Sequence, residues 1–153
     1  MSATSLSTCL WFEKDAEAAA IFYCGLLPRS RITRIDRQQD DPQNRAFMVS
    51  FDLMGQHYLA LNGGPHYQLS PAVSISVSLD TQSEIDRLWA ALLQDGGSES
   101  RCGWLTDRWG LSWQILPEAL PRMLANDPSG RVMRAMMAMV KFDIAALQAA
   151  VRD

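Results

Sequence analysis

Among the side chains that could do chemistry, Cys102 is the one plausible nucleophile, with Arg101 beside it as a cation that could hold a thiolate. Neighbouring residues on a strand point to opposite faces, which weakens that pairing and leaves a structural thiol as the plainer reading. Cys9 and Cys24 complete an odd count without metal-type spacing, as expected of free thiols in a reducing cytoplasm. His57 and His66 are the two imidazoles; the first reads as a strand-end surface residue and the second as a loop residue bonded locally. No two carboxylates are spaced for acid–base work, and no Ser-His-Asp ordering has a supporting context. Trp11 and Trp104 could stack a flat ligand, although aromatic residues in a small domain mostly serve the core. Gly63-Gly64-Pro65 and Gly96-Gly97 read as turns and not as the glycine turn between strand and helix that cradles a nucleoside.

Those residues need elements to position them. A chain of 153 residues makes one ordinary domain or two half-size modules sharing a core. Its hydrophobic fraction of 48% and charged fraction of 20% are those of a globular protein. A net charge of −3 provides no basic footprint for nucleic acid or anionic lipid. No basic residue precedes Lys14 and Glu13 interrupts the first apolar run, so neither a secretory signal nor a membrane span is expected. The expected location is the cytoplasm.

An internal repeat organises the rest. Thr8 to Phe12 reads as a strand, with Asp15 as N-cap of a helix over Ala16 to Cys24. Ser74 to Leu79 reads as a second strand, and Thr81 with Glu84 forms a capping box for a helix over Gln82 to Gln94. Phe22-Tyr23 and Leu88-Trp89 recur late in the two helices. Asp52-Leu53-Met54-Gly55 and Asp107-Arg108-Trp109-Gly110 then read as type I turns between strands. Each half is therefore strand, helix, then two or three strands: an α+β fold of two βαβββ modules, about 6–64 and 72–116. A helical tail over 117–153 follows, with segments at Pro117–Ala125, from Asp127-Pro128 to Val140, and at Ile144–Val151. Met133, Met136, Met137 and Val140 share one helical face, expected in the core or at a dimer interface.

Alternation assigns the strand faces. Val73, Ile75, Val77 and Leu79 point to the core, and Ser74, Ser76 and Ser78 point away. Trp113 and Ile115 join the apolar side, and Ser112 and Gln114 the serines. In the first half Leu59 and Leu61 read as buried, placing Tyr58, Ala60 and Asn62 on the opposite side. Thr8, Leu10 and Phe12 share one face of the first strand, Cys9 and Trp11 the other. The Asp-x-x-Gly turns would instead match Tyr58 with Trp113, which requires a bulge if the alternation is preferred.

Leu10-Trp11-Phe12, Phe22-Tyr23, Ala60 to His66, Cys102-Gly103-Trp104-Leu105, Trp109 to Gln114 and Phe142 to Leu147 together resemble the PhnB-like branch of the vicinal oxygen chelate (glyoxalase/bleomycin-resistance) superfamily. Members of this branch often carry the description 3-demethylubiquinone-9 3-methyltransferase. The resemblance implies paired modules around a groove and four strand positions that hold a divalent metal. Those positions align with Thr8, Ala60, Ser74 and Gln114, of which only Gln114 is a respectable oxygen ligand. No metal and no cofactor are therefore expected. The expectation is a homodimer whose groove binds a small organic molecule, lined by Thr8, Tyr58, Asn62, Ser74, Ser76 and Gln114, with Cys102 and Trp104 at its rim. The competing reading is an enzyme of glyoxalase, lyase or methyltransferase type.

Overall fold

Strands and helices follow one another in the same order twice. The computed structural model describes residues 2–39 and 41–152, and the chain divides into two units, Met1–Leu69 and Ser70–Asp153. The first unit runs β1 (Thr8–Phe12), α1 (Ala16–Leu26), β2 (Arg31–Arg37), β3 (Ala46–Leu53) and β4 (Gln56–Asn62). The second runs β5 (Ser74–Leu79), α2 (Gln82–Leu92), β6 (Ser98–Glu99), β7 (Trp104–Thr106) and β8 (Ser112–Pro117), then α3 (Leu120–Ala125), α4 (Arg131–Ala138) and α5 (Ile144–Arg152). The sheet orders are β1-β4-β3-β2 and β5-β8-β7-β6. In each, the first strand lies parallel to the last and the other pairs are antiparallel. The α+β fold with two βαβββ modules is present.

Each helix covers one face of its own sheet, called here the near face. Alanines let α1 approach closely: Ala16, Ala19 and Ala20 are buried with Tyr23, whose ring lies 6.5 Å from Phe51. Phe51 in turn stacks on Tyr58 at 5.5 Å. In α2 the buried residues are Ile85, Leu88, Trp89 and Leu92, the spacing of an amphipathic stripe, and the sheet meets them with Val77, Leu105, Trp113 and Ile115.

The helix starts differ in their chemistry. Thr81 and Glu84 form the expected capping box, the Glu84 N–H donating to Thr81 Oγ1 at 3.2 Å and the Thr81 N–H to Glu84 Oε2 at 3.1 Å. Asp15, by contrast, makes no side-chain cap. The Ala16 N–H donates instead to Asn62 Oδ1 at 2.8 Å, and Asn62 Nδ2 donates to the Ala46 carbonyl at 2.8 Å. A residue remote in sequence therefore ties α1 to the ends of β3 and β4.

The two Asp-x-x-Gly words also differ. Met54 and Gly55 have φ of 50° and 92°, which makes the first a two-residue type I′ hairpin and corrects the expected type I turn. The second closes as expected, with the Gly110 N–H donating to the Asp107 carbonyl at 3.0 Å. The buried Asp107 carboxylate braces it by accepting from the N–H groups of Trp109 and Leu111 and from Trp113 Nε1.

In the tail, Pro117 pairs with Leu79 in the sheet, so the first helix starts at Leu120 and not at Pro117. Leu120, Val132, Phe142 and Leu147 form a satellite core, flanked by Leu116, Met123, Met136 and Met139. Met133, Met137 and Val140 are 46%, 55% and 42% exposed, which overturns a core role for that methionine face. The α4 helix turns Val132 inward instead, and Met136 only leans on the core. No helix of the described residues is long and apolar enough to cross a membrane.

Candidate functional site

On the second sheet the face turned away from α2, the far face, is polar. Strand β5 places Ser74, Ser76 and Ser78 there, β8 places Ser112 and Gln114, and β7 places Trp104 and Thr106, by the alternation of a pleated strand. The register aligns Ser76, Gln114 and Trp104 in one row and Ser74, Ser112 and Thr106 in the next. Gln114 Nε2 donates to Ser74 Oγ at 2.8 Å, tying the two rows together. Ser112 is only 1% exposed, and its hydroxyl has no hydrogen-bond partner among the described residues. The patch carries hydroxyls, one carboxamide and one indole, with no formal charge.

Ser74, Ser76, Trp104 and Gln114 thus come together from the residues expected at the site. Ser112 and Thr106 belong with them but were absent from the expected lining. The signals were available: Ser112 sits two before Gln114 on one strand, and Thr106 two after Trp104 on another.

Cys102 lies elsewhere. It occupies the loop before β7 with φ of 56°, and its Sγ is 3.7 Å from both the Met136 carbonyl and Met137 Sδ. Its N–H donates to the Met139 carbonyl at 2.9 Å, and the Gly103 N–H to the Val140 carbonyl at 2.8 Å. This residue clasps the tail, as a structural thiol would.

In the first unit the expected orientation is inverted. Tyr58 and Ala60 are 8% and 0% exposed and lie on the near face, opposite Phe51 and Val49 of β3. Thr8 pairs with Tyr58 on that face at the exposed start of β1, and Asn62 caps α1. Leu59 and Leu61 are the half-buried residues of the far face, beside Cys9 and Trp11. The physical reason is fit to the helix. Tyr58 extends the aromatic stack from Tyr23 through Phe51, and the small Ala60 makes room for the closely approaching helix. Matching by turns, Tyr58 with Trp113, is the correct register, and no bulge is needed in β4. Cys9 and Leu59 then occupy the positions that Ser76 and Gln114 hold in the second sheet.

Trp11 closes that end of the first sheet. Its Nε1 donates to the Gly64 carbonyl at 2.9 Å, its ring meets Tyr67 edge-on at 5.0 Å, and Gly63 lies directly against it. Nearby, a concavity of about 290 Å³ is lined by Lys14, Gln38, Arg45 and Gly64 among others. Arg45 there is engaged by Asp41, whose carboxyl its hydrogen bonds hold down at about 2. At the hairpin, His57 Nδ1 pairs with Asp52, whose other oxygen lies 3.6 Å from Arg31 Nε. The side chain of His57 is otherwise exposed, as expected of a strand-end residue.

For a divalent ion the relevant donors are serine hydroxyls and one carboxamide; among the described residues no three of His, Cys, Asp or Glu gather. For a nucleoside-bearing methyl donor the relevant turns are two. Gly63-Gly64 follows β4 but leads into no helix, and Gly96-Gly97 follows α2 and precedes β6.

Residues 4–116 match the family model described as 3-demethylubiquinone-9 3-methyltransferase. The PhnB protein of Bacillus cereus, described as a candidate 3-demethylubiquinone-9 3-methyltransferase, is 29% identical with a TM-score of 0.68, over 74% of this chain and 99% of its own. Protein PA1353 of Pseudomonas aeruginosa is 21% identical with a TM-score of 0.62, over 76% and 98%. The fosfomycin resistance protein FosX of Mesorhizobium loti is 14% identical with a TM-score of 0.56, over 82% and 99%. The last two likenesses are of fold alone. No curated protein matches.

Proposed function

Since the chain belongs to the family described as 3-demethylubiquinone-9 3-methyltransferase, a PhnB-like branch of the glyoxalase fold, we propose that it binds a small, uncharged, oxygen-bearing organic molecule on the far face of its second sheet, with neither a divalent metal nor a methyl donor. The observation that carries this reading is the buried, unpartnered Ser112 hydroxyl beside the Ser74–Gln114 hydrogen bond. An unpaired buried hydroxyl costs about 1–3 kcal/mol, which a ligand oxygen within reach would recover. Trp104, in register with Gln114, offers a ring against which a flat ligand can lie. Hydroxyls and one amide do not displace the water shell of a divalent ion, and neither glycine turn opens a helix that could hold a nucleoside. The competing reading is an enzyme, favoured by the methyltransferase description of the matching family.

The test is calorimetric titration with 2,6-dimethoxyphenol. Saturable binding is expected, weakened about tenfold by Gln114→Leu, the loss of one well-placed hydrogen bond in a buried site. A divalent ion retained stoichiometrically after dialysis, or saturation by S-adenosylmethionine followed through tryptophan fluorescence, would overturn the reading. The same reading places the protein in the cytoplasm as a homodimer joined through Met133, Met137 and Val140; light scattering that finds a monomer at micromolar concentration refutes the dimer.

A further inference from the structure

We propose a second binding site, in the helical tail, for an apolar molecule carrying a single carboxylate. Between α3 and α5 lies a cavity of about 350 Å³, lined by Arg122, Met123, Asn126, Gln148, Val151 and Arg152. That volume is at the small end of the range for small-molecule pockets. Met123 links its floor to the satellite core, and Val151 is 50% exposed where a polar residue would be expected on an outer helix.

The charges at the rim point to the ligand. Arg122 and Arg152 make no ion pair among the described residues. Elsewhere in the tail, Asp127 accepts from Ser129 and the Val132 N–H, Asp143 accepts from the Ala146 N–H, Lys141 pairs with Asp86, and Arg134 donates to the Ser129 carbonyl, so none of these four groups answers the charge of Arg122 or Arg152. Both arginines line the same cavity, and the planar fork of a guanidinium suits a carboxylate. The apolar floor then asks for a hydrocarbon or aromatic body behind that headgroup. The cavity is built wholly from residues beyond 116, outside the stretch that matches the family. It is therefore independent of the reading of the second sheet.

The test is an amide-resolved NMR titration of the full chain with decanoate, below its micelle-forming concentration. Saturable shifts confined to α3 and α5 are expected, with decanol and acetate binding at least tenfold more weakly. The double variant R122M/R152M, which keeps the apolar stems, should weaken decanoate at least tenfold while leaving the melting temperature unchanged. Val151→Trp should block the cavity, and Gln114→Leu should leave decanoate binding unaffected. Decanol binding as tightly as decanoate, undiminished binding to R122M/R152M, or shifts that fall on β5 and β8 would each overturn the proposal. So would concentration-dependent shifts of α3 and α5 without ligand, which would identify a second copy of the chain as the occupant.

Discussion

The two sheets share strand order, a parallel pairing of first strand with last, and a helix over one face, yet the central strands of their far faces differ in chemistry. The first carries Cys9, Trp11, Leu59 and Leu61, and the second carries Ser74, Ser76, Ser112 and Gln114. Near faces are constrained by the helix that must pack on them. Far faces escape that constraint, so the paired first and last strands carry a thiol, leucines and Trp11 in one unit and serines and Gln114 in the other. The difference argues for unequal roles: the uncharged hydrogen-bonding strands of the second sheet can select a ligand by its oxygens, whereas β1 and β4 of the first offer mainly apolar contact.

The near faces themselves are not equivalent, and substitutions measure by how much. Trp113 is fully buried and its indole N–H satisfies Asp107, so Trp113→Ala should cost about 3–5 kcal/mol in urea unfolding. Tyr58 holds the matching position but lies nearer the surface, and its hydroxyl donates to Gln56 Oε1 at 3.0 Å, a partner nearer the surface than the buried Asp107, so Tyr58→Ala should cost less. Equal losses would mean that the two cores carry equal weight.

Two glycines give the next effect. Gly103 has φ of 78°, and a Cβ there would strike the Phe142 ring and come within 2.7 Å of the Ile115 carbonyl. Gly103→Ala should therefore cost about 3 kcal/mol, from strain and overpacking together. At Gly63 the nearest atoms to an added Cβ belong to the ring of Trp11, a side chain that can give more than backbone can, so Gly63→Ala should cost about 1–2 kcal/mol and shift the tryptophan emission as the ring is pushed from Gly64 and Tyr67.

Helix starts provide the smallest and sharpest contrast. Thr81→Ala should cost about 1 kcal/mol. In the first unit the loss should appear in Asn62→Ala, about 1–2 kcal/mol, and Asp15→Ala should be close to neutral. A substantial loss in Asp15→Ala would restore the symmetric reading of the two caps.

Local signals were legible wherever they decided the outcome locally. The Thr81–Glu84 box, the serine alternation of β5 and the repeated βαβββ order can all be read from residues close in sequence. The faces of β4 were not legible in this way. Tyr58-Leu59-Ala60-Leu61 is apolar at every position, so alternation has no contrast to act on, and the choice falls to Phe51 and α1 across the sheet. Asn62 as the cap of α1 is a contact between distant parts of the chain, invisible to any window around Asp15. The methionine face of α4 failed for a related reason: its periodicity is real, but one helix in a thin outer layer can bury only the side that meets the satellite core.

The parallel pairing of β1 with β4, and of β5 with β8, has a kinetic consequence. Hairpins and helices in each half can form from chain already at hand, but the first strand must wait unpaired until the last arrives, Thr8 for Tyr58 and Ser74 for Ser112. Closing so long a loop is slow compared with forming a hairpin, because its entropy is lost before any distant contact repays it. The second half spans less chain between its partners, so when the full-length chain refolds from denaturant its sheet should close first.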